Sequence, residues 1–594
     1  MASAPLPELV GNRALAISLG AGKCLPARAD RMLRDFVVAR DGSGVLASER
    51  SDCIAVAGEA AAALGTRHVL APEFAHMLDA AALVRALPRA PELFAPAVAI
   101  ASQGGRIQAW ADRYGIGQLF LYRGDGIAAV ATSATMLARL FGAPLASPAL
   151  IGFALTGNFL GSATGFKGIE KVAAGTRVVI TDGAARCEDA ASPLAYRGEP
   201  ESTLEEVTEA FVAAVRRMHA AFPDAELELS GGLDSRLILA ALPPEARRGK
   251  RAMTIGPADS GDARIAAQLA EREGLAHRLV ASDGFMALDA DGLEALIARI
   301  VLGYDHLANP LDKLAIVSAG LAAGEEPEAR FGGQNGEILR GFYYAAQPIE
   351  RPPSEELARR LLAWRLEAND RVSDELIDAG ALAQSAPRVR SDILATLLQR
   401  GEDHWWQALD RLYLTQRMPR WVGASSTNRF IARTSLYPFF DPDFVSAAMR
   451  LPGTDKRNSR AAYRMLSRID STLAALPLDN GITPGRAHKE SFDYLASKVN
   501  FIIKILKKAN TKLRGNSKPV LGSSSAIDLW YGLSLSKRLP VKSLNGTGLV
   551  DRSAVESIAR TGRRFDRASL GWLLLVEGLI GSDEWNTGDG QVSH

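Results

Sequence analysis

The chain of 594 residues is too long for one ordinary hydrophobic core; its length suggests about three or four units of domain size, or fewer if they are large, and the starting hypothesis is two domains followed by a tail. A hydrophobic fraction of 47% and a charged fraction of 23% are typical of a packed globular protein and exclude a disordered or collagen-like chain. With 69 basic and 67 acidic residues the formal net charge is +2, which excludes a broad positive field for binding nucleic acid.

The cysteines and the first residues indicate the compartment. Cys24, Cys53 and Cys187 are odd in number and lack metal-ligand spacing, which argues against a disulfide framework and against a zinc site. The first twenty residues lack a basic segment followed by an apolar core, and no later stretch reaches the roughly 18 apolar residues of a membrane span. We therefore expect a cytoplasmic protein without a membrane span.

The first 190 or so residues contain short β-like runs bounded by glycine and aspartate, for example residues 118–122 (QLFLY), 127–131 (IAAVA) and 177–181 (RVVIT). These runs predict a β-rich layer. Residues 184–203 are rich in Ala, Ser, Pro and Glu without periodicity, which predicts a linker, and a helical pattern begins at Leu204. The first domain boundary is placed there.

From Leu204 onward, extended runs alternate with helical patterns. Residues 226–229 and 251–255 are each followed by glycine and then by a helical stretch, over residues 236–242 and 262–273. This alternation predicts a parallel α/β sheet, and the patterns up to about residue 500 are mostly helical. Residues 501–518 carry six basic residues, which predicts a solvated helix face; the alternative is a docking strip for an acidic peptide or a membrane surface.

A glycine-rich motif, residues 230–235 (SGGLDS), lies between the predicted strand ELEL and the predicted helix RLILAAL. Glycines let backbone N–H groups approach a phosphate, and the start of the following helix adds its dipole. The seryl hydroxyls can donate further hydrogen bonds, and the aspartate can hold the magnesium ion that bridges phosphates. The motif predicts a nucleotide-phosphate loop; the alternative is an ordinary strand-to-helix turn. The predicted contacts are Leu229, Ser230, Gly231, Gly232, Leu233, Asp234 and Ser235.

This loop resembles the pyrophosphate loop (SGGxDS) of the ATP-pyrophosphatase superfamily, and specifically that of the asparagine synthetase family. That family also includes the β-lactam synthetases and the lasso-peptide macrocyclases. The resemblance implies that ATP is cleaved between its α and β phosphates, that a carboxylate takes the AMP, and that an amine displaces AMP to form an amide. It implies ATP and Mg²⁺ as cofactors, with Asp234 as a magnesium ligand.

Later segments extend the resemblance. Thr254, Ile255 and Gly256 look like the segment that lines the adenosine, and Asp262 with the helix behind it continues that pattern. Residues 332–337 (GGQNGE) are similar to the family's SGEGAD loop, which implies nucleotide contacts from Gly332 and Gly333. Glu337 takes the place of the last carboxylate, a second magnesium ligand.

Two segments nearer the end of the chain also match. Residues 437–442 (YPFFDP) look like the RxPFLD segment. Lys489 in residues 489–492 (KESF) resembles the lysine that contacts the phosphates in the transition state, where its charge offsets that developing on pyrophosphate. The alternatives are an ordinary glycine-rich turn at residues 332–337 and an ordinary surface lysine at 489.

The front of the chain resembles the family's N-terminal glutaminase at residues 112–122 (DRYGIGQLFLY), 131–133 and 164–169, with Gly175. The glutaminase nucleophile, however, is a cysteine exposed as the first residue, whose free amine is the general base. Here Met1 is followed by Ala2, and Cys24 lies too deep to expose its own amine, so glutamine hydrolysis is not expected. Thr434 and Leu436 stand where glutamine-dependent members carry Glu and Arg, which indicates a rebuilt acceptor pocket.

These features predict a degenerate amidohydrolase-like (αββα) domain over residues 1–195, a parallel α/β synthetase domain over 204–500 with helical additions, and a helical basic extension over 501–594. The catalytic residues would be Asp234, Glu337 and Lys489. The hypothesis is a ligase that closes a macrolactam between the N-terminal amine of a precursor peptide and its Asp or Glu side chain. A companion protease or leader-binding protein is the further partner, and no nucleic acid is expected.

Three alternatives remain open. The first is an amidotransferase that uses ammonia on a small acid, and the second is a tRNA-modifying member of the superfamily, which the near-neutral charge disfavours. The third is a pseudo-synthetase that only binds nucleotide or peptide, which the altered loop at residues 334–337 motivates.

Overall fold

The structure is a computed structural model. It describes residues 13–33, 36–41, 44–48, 54–57, 60–64, 94–103, 105–190, 192–324, 327–399, 401–431, 433–487, 523–539, 544, 546–561 and 563–581. Lys489 and the basic segment 501–518 therefore lie outside the described residues.

The strands are β1 (Ala14–Leu19), β2 (Val37–Asp41), β3 (Gly44–Ser48), β4 (Ile54–Ala57), β5 (Ala60–Leu64), β6 (Val98–Gln103), β7 (Arg106–Ala111), β8 (Phe120–Gly124), β9 (Ile127–Ala131), β10 (Ile169–Lys171), β11 (Thr176–Thr181), β12 (Ala184–Asp189), β13 (Glu226–Glu228), β14 (Arg251–Ile255), β15 (Ala276–Val280), β16 (Ala329–Phe331) and β17 (Thr434–Leu436).

The α-helices are α1 (Ala29–Met32), α2 (Ala134–Phe141), α3 (Ser147–Thr156), α4 (Leu204–Ala221), α5 (Leu233–Ala241), α6 (Gly261–Glu273), α7 (Ala290–Gly303), α8 (Leu314–Ala322), α9 (Glu355–Leu361), α10 (Ala379–Leu398), α11 (Trp405–Leu412), α12 (Gly423–Ser426), α13 (Pro442–Arg450), α14 (Gly453–Lys456), α15 (Arg460–Ile469), α16 (Ser471–Ala474), α17 (Pro484–Ala487), α18 (Ser523–Gly532), α19 (Arg552–Thr561) and α20 (Arg567–Gly581). Two further segments, Leu362–Leu366 and Tyr413–Val422, wind as π-helices.

The front of the chain forms two six-stranded antiparallel sheets, with the orders β10-β8-β9-β1-β3-β2 and β12-β11-β7-β6-β5-β4. Alternate residues of the strands, such as Ile100, Ile107, Val130 and Ile180, fill a core between the two sheets. Helices α2 and α3 cover the opposite face of the first sheet. The β-rich layer is thus confirmed, whereas the second helix layer of the αββα arrangement stays a prediction.

A buried carboxylate holds the turn in the segment that resembles the glutaminase. Asp112 accepts four backbone hydrogen bonds, from Ala97 (3.0 Å), Tyr114 (3.1 Å), Ile116 (3.1 Å) and Gly117 (2.7 Å). Burial raises the pKa of Asp112, and these hydrogen bonds oppose the rise. Asp112 therefore fixes the conformation of the turn at residues 112–117. This role explains why the segment that resembles the glutaminase has an aspartate here.

The second half of the chain contains a five-stranded parallel sheet of order β15-β14-β13-β16-β17. Its first helix, α4, begins at Leu204 as predicted, because Thr203 and Glu206 form a reciprocal capping box. The parallel sheet is confirmed, and β14 has the predicted bounds.

The sequence patterns misplaced some boundaries. Residues 184–189 of the predicted linker form β12, which pairs along its whole length with β11 and is therefore part of a sheet. Helix α5 begins at Leu233, three residues earlier than predicted, so half of the glycine-rich motif is helical. Propensity misses this because Gly232, Asp234 and Ser235 are weak helix formers in isolation.

The helices at the end of the chain are part of the core. Trp572 of α20 is fully buried and donates to the Leu150 carbonyl (3.2 Å), and the Arg567 guanidinium binds Asp312 (2.6 Å) and Asp370. Apolar residues of α2, α3, α7, α8 and α20 form one cluster. The limits of the three predicted domains stay a prediction.

Among the described residues, no helix combines the length and the apolar character required to cross a bilayer. Cys24 and Cys187 are exposed free thiols, and Cys53 lies outside the described residues.

We predict that Glu577 on α20 lowers stability at alkaline pH. Burial, together with the nearby Glu294, raises the pKa of Glu577 to about 7. Because the folded state binds this proton more tightly than the unfolded chain, stability falls as pH rises from about 4.5 through 7. Glu577→Gln should therefore stabilise the protein by on the order of 2 kcal/mol more at pH 8 than at pH 5, measured by thermal unfolding. Equal gains at both pH values, or the same gain from exposed Glu271→Gln, would contradict this prediction.

Candidate active site

Two glycine-rich loops meet at one edge of the parallel sheet. Strands β13 and β16 are neighbours in register, with Glu226 opposite Arg330 and Leu227 opposite Phe331. Both strands run in the same direction, so the loops that follow them, residues 230–235 and 332–337, emerge at the same edge. The carboxyl edge of a parallel sheet is where α/β proteins bind their ligands.

The first loop is held by its own side chains. The Ser230 N–H donates to Ser235 Oγ (3.1 Å), and the Gly232 N–H donates to Ser230 Oγ (3.1 Å). The Gly231 N–H donates to Asp262 Oδ1 on α6 (2.7 Å). Asp262, predicted from the resemblance alone, therefore anchors the loop to the next helix.

Helix α5 starts inside this loop without a side-chain cap. Its N-cap residue is Gly232, which has no side chain, whereas α6 is capped by Ser260 Oγ. The first N–H groups of an uncapped helix need partners, and a phosphate is a suitable one. The start of α5 at Leu233, Asp234 and Ser235 thus suits an anionic ligand.

The predicted adenosine segment lies at the end of β14. Thr254 Oγ1 donates to the Leu229 carbonyl (2.7 Å) and lies 2.8 Å from Nε2 of His277. Half-buried Ile255 packs against the small cluster of Met253, Val280 and Ala319, and Gly256 has φ +152°. Thr254 therefore links β14 to the end of β13, next to the glycine-rich loop of residues 230–235. Sequence reasoning gave no signal for His277.

Two carboxylates, Asp234 and Glu337, share one guanidinium. Arg340 Nη2 lies 2.7 Å from Asp234 Oδ2 and 3.3 Å from Glu337 Oε1. Tyr413 Oη donates to Glu337 Oε2 (3.1 Å). Burial raises the pKa of Asp234 to about 7; Arg340 opposes the rise and Glu337 adds to it. The structure thus brings the two predicted metal ligands together, with a cation between them.

These residues fit a magnesium ion. Asp234 Oδ1 is buried and has no hydrogen-bond partner in the described part of the chain, so one carboxylate oxygen remains for a ligand. Glu337 supplies the second hard oxygen donor, and Mg²⁺ is commonly held by one or two carboxylates together with phosphates and water. No group of three or more His, Cys, Asp or Glu suited to a metal occurs among the described residues.

Close packing explains the glycines of the second loop. A Cβ added at Gly336 would lie 2.3 Å from Cγ of Asp234, and one at Gly333 would lie 2.9 Å from its Cβ. At Gly332 the added atom would meet Tyr437 Cε1 at 2.8 Å. The backbone of the second loop therefore lies directly against Asp234.

This geometry agrees with the comparison of the chain with known protein families, in which residues 206–469 match the family described as asparagine synthase. Residues 206–469 form an asparagine synthase-type domain. At the family level, such a domain supports an ATP-dependent carbon–nitrogen ligase activity that proceeds through adenylation. It contains both glycine-rich loops, Asp234, Glu337 and Arg340.

The other comparisons found less. A search of curated proteins found no match. Two solved structures, an allosteric regulatory enzyme of purine biosynthesis and a glutamine phosphoribosylpyrophosphate amidotransferase from B. subtilis complexed with ADP and GMP, are 10% and 9% identical to the chain. Each alignment covers 47% of this chain and 82% or 83% of the chain in the solved structure. The TM-score is 0.21 in both cases, which is below the level at which two chains share a fold.

Sequence reasoning missed several residues of the asparagine synthase-type domain. Arg340 could have been found, because a cation three residues after Glu337 lies on the same side of a helical turn. Tyr413 lies 76 residues away from Glu337, and no spacing connects them. Fully buried Arg236 donates to the carbonyls of Leu476 (2.7 Å) and Pro477 (2.9 Å), beside Asp479, whose N–H binds the loop at Gly231.

We predict that Gly336→Ala lowers ligase turnover by about 100-fold, because the new methyl group displaces the Asp234 carboxylate. The measurement is AMP formation at saturating ATP. Gly320→Ala on α8 is the control, since nothing lies within 4 Å of its added Cβ. Full turnover of the Gly336→Ala protein would show that the position of Asp234 is unimportant.

We predict that Arg340→Met leaves the two carboxylates uncompensated and destabilises the protein by roughly 2 kcal/mol, since the pair with Asp234 is only partly exposed. Millimolar Mg²⁺ should restore more stability in this variant than in the wild type, because the ion no longer competes with the guanidinium. Thermal unfolding with and without MgCl₂ measures both effects. The control is Arg359→Met, whose ion pair with Glu355 is exposed. Equal protection of all three proteins by Mg²⁺ would contradict the prediction.

Proposed function

We propose that this protein is an ATP-dependent ligase that activates the side-chain carboxylate of a peptide as an acyl adenylate and joins it to the N-terminal amine of that peptide as a macrolactam. Carboxylate and ATP give the adenylate and pyrophosphate; the amine then attacks the acyl carbon, forms the amide and releases AMP. The observation that carries the proposal is the convergence of the two glycine-rich loops on Asp234.

The residues of the chain have separate roles in this proposal. The uncapped start of α5 and the hydroxyls of Ser230 and Ser235 bind the phosphates, and Thr254, Ile255 and Gly256 line the nucleoside side of the site. Arg340 supplies a positive charge next to Asp234. Lys489, outside the described residues, stabilises the leaving pyrophosphate. A magnesium ion held by Asp234 and Glu337 would neutralise the phosphate charge.

The source of the amine separates the proposal from glutamine-dependent synthesis. Cys24 follows β1, and its backbone nitrogen is part of a peptide bond, so its thiol has no adjacent free amine to act as base. Cys53 and Cys187 also lie inside the chain, so their backbone nitrogens are likewise part of peptide bonds. In this proposal the substrate supplies its own amine, as a cyclising reaction requires.

We predict that the protein with ATP and MgCl₂ removes one water from a synthetic peptide carrying a free N-terminal amine and an internal Asp or Glu, and that AMP appears in equal amount. Liquid chromatography with mass spectrometry measures both products. Asp234→Asn, which keeps the shape of the side chain and removes its charge, should lower AMP formation by at least about 100-fold. Asp259→Asn, an exposed residue after β14, is the control.

The same experiment separates the alternatives. Formation of an amide from aspartate and ammonium, without any peptide product, would select the ammonia-using amidotransferase. Nucleotide binding without AMP formation under any of these conditions would select the pseudo-synthetase. Full AMP formation by the Asp234→Asn protein would refute the assignment of the site.

A further inference from the structure

Next to the candidate site lies a patch of aromatic and guanidinium groups that the ligase chemistry does not use. It consists of Phe342, Trp364, Arg365, Arg417 and Trp421, which we call the aromatic–arginine patch. Arg365 and Trp364 belong to the π-helix Leu362–Leu366, and Arg417 and Trp421 belong to the π-helix Tyr413–Val422. π-Helical turns are rare and are frequent at functional sites.

The patch is continuous with the site. Tyr413, whose hydroxyl binds Glu337, packs against Phe342 with ring centroids 5.3 Å apart. The Arg417 guanidinium lies 4.6 Å from the centroid of the Phe342 ring and 5.1 Å from the centroid of the Trp421 ring. Four consecutive side-chain contacts therefore lead from Glu337 to the exposed ring of Trp421.

Two positive charges are concentrated here. The Arg365 and Arg417 guanidinium groups lie 4.8 Å and 4.6 Å from the same Phe342 ring, although like charges repel. Among the described residues, no ion pair joins either group to a carboxylate. The acids of the same region form ion pairs with other arginines, Glu367 with Arg371 and Arg390, and Asp370 with Arg567, and the Asp370 charge acts on Arg365 only at longer range. An anion at this position would relieve the repulsion.

Trp421, whose ring lies against the Arg417 guanidinium, and Trp364, the residue that precedes Arg365, are both exposed to solvent. Trp364 is 70% exposed and Trp421 is 42% exposed, which is unusual for side chains of this size. Stacking on Phe342 holds the guanidinium groups in place, so little conformational entropy is lost when they bind a carboxylate. The combination suits a ligand that carries a carboxylate and apolar side chains together.

We propose that the aromatic–arginine patch binds the peptide substrate, with a carboxylate of the peptide on Arg365 and Arg417 and its apolar side chains on Trp364 and Trp421. This inference rests on the proposed ligase function and identifies its substrate class as an acidic peptide with apolar residues. Four side-chain contacts separate Glu337 from Trp421, so a peptide is better suited than a free amino acid to contact both.

The test is a tryptophan-fluorescence titration with two short synthetic peptides that contain Phe and differ only in one Glu or Gln. Wild type should bind the Glu peptide about tenfold more tightly than the Gln peptide. The double variant Arg365→Gln/Arg417→Gln should lose this preference, while Arg359→Gln, an exposed arginine on α9, should keep it. Trp364→Phe/Trp421→Phe should lose most of the fluorescence change.

Calorimetry with ATP on the same preparations distinguishes failure of this inference from failure of the proposed function. The double arginine variant should bind ATP within about twofold of wild type, which also shows that it is folded. If wild type binds ATP and forms AMP but does not prefer the Glu peptide, the inference is wrong and the ligase function stands. If the peptide preference holds but neither ATP binding nor AMP formation is found, the ligase function is wrong and the patch is a peptide-binding surface only.

Discussion

The parallel pairing of β13 with β16 is the constraint on which the rest of the site depends. The buried Glu226 and Arg330, opposite each other in register, form an ion pair of 2.7 Å that holds the two strands at this alignment. A buried ion pair of this kind adds little net stability, but it selects one alignment of the two strands over others. Because both strands end at the same edge, two loops separated by about a hundred residues of chain meet at Asp234.

Close packing and charge both constrain the Asp234 side chain where the two loops meet. The second loop approaches so closely that Gly336 leaves no room for a side chain beside Asp234. Two carboxylates at such a place would repel each other in a partly buried environment, and Arg340 compensates them when no ligand is bound. The same guanidinium contributes a fixed positive charge where phosphate charge would accumulate.

Residues of the region that contains the N-terminal sheets hydrogen-bond to the π-helix Tyr413–Val422. Gln118 Nε2 donates to the Pro419 carbonyl (3.0 Å), and Arg420 donates to the Ala163 carbonyl (2.8 Å). Both hydrogen bonds fix the position of the π-helix Tyr413–Val422. Pro419 has no N–H to donate, which disrupts regular α-helical hydrogen bonding in this segment. The hydrogen bonds of Gln118 and Arg420 position the segment that carries Tyr413, Arg417 and Trp421.

Local sequence signals were sufficient to predict the parallel α/β sheet, the start of α4 at Leu204 and the residues of both glycine-rich loops, because strand periodicity, capping residues and glycine turns are local properties. The same signals misjudged β12, whose polar strand is formed only by pairing with β11, and the start of α5. The contact of Arg340 with Asp234, the hydrogen bond of Tyr413 to Glu337 and the packing of the last helices into the core are visible only in the tertiary structure. These are contacts between residues far apart in the chain, and their partners are chosen by packing and charge in three dimensions.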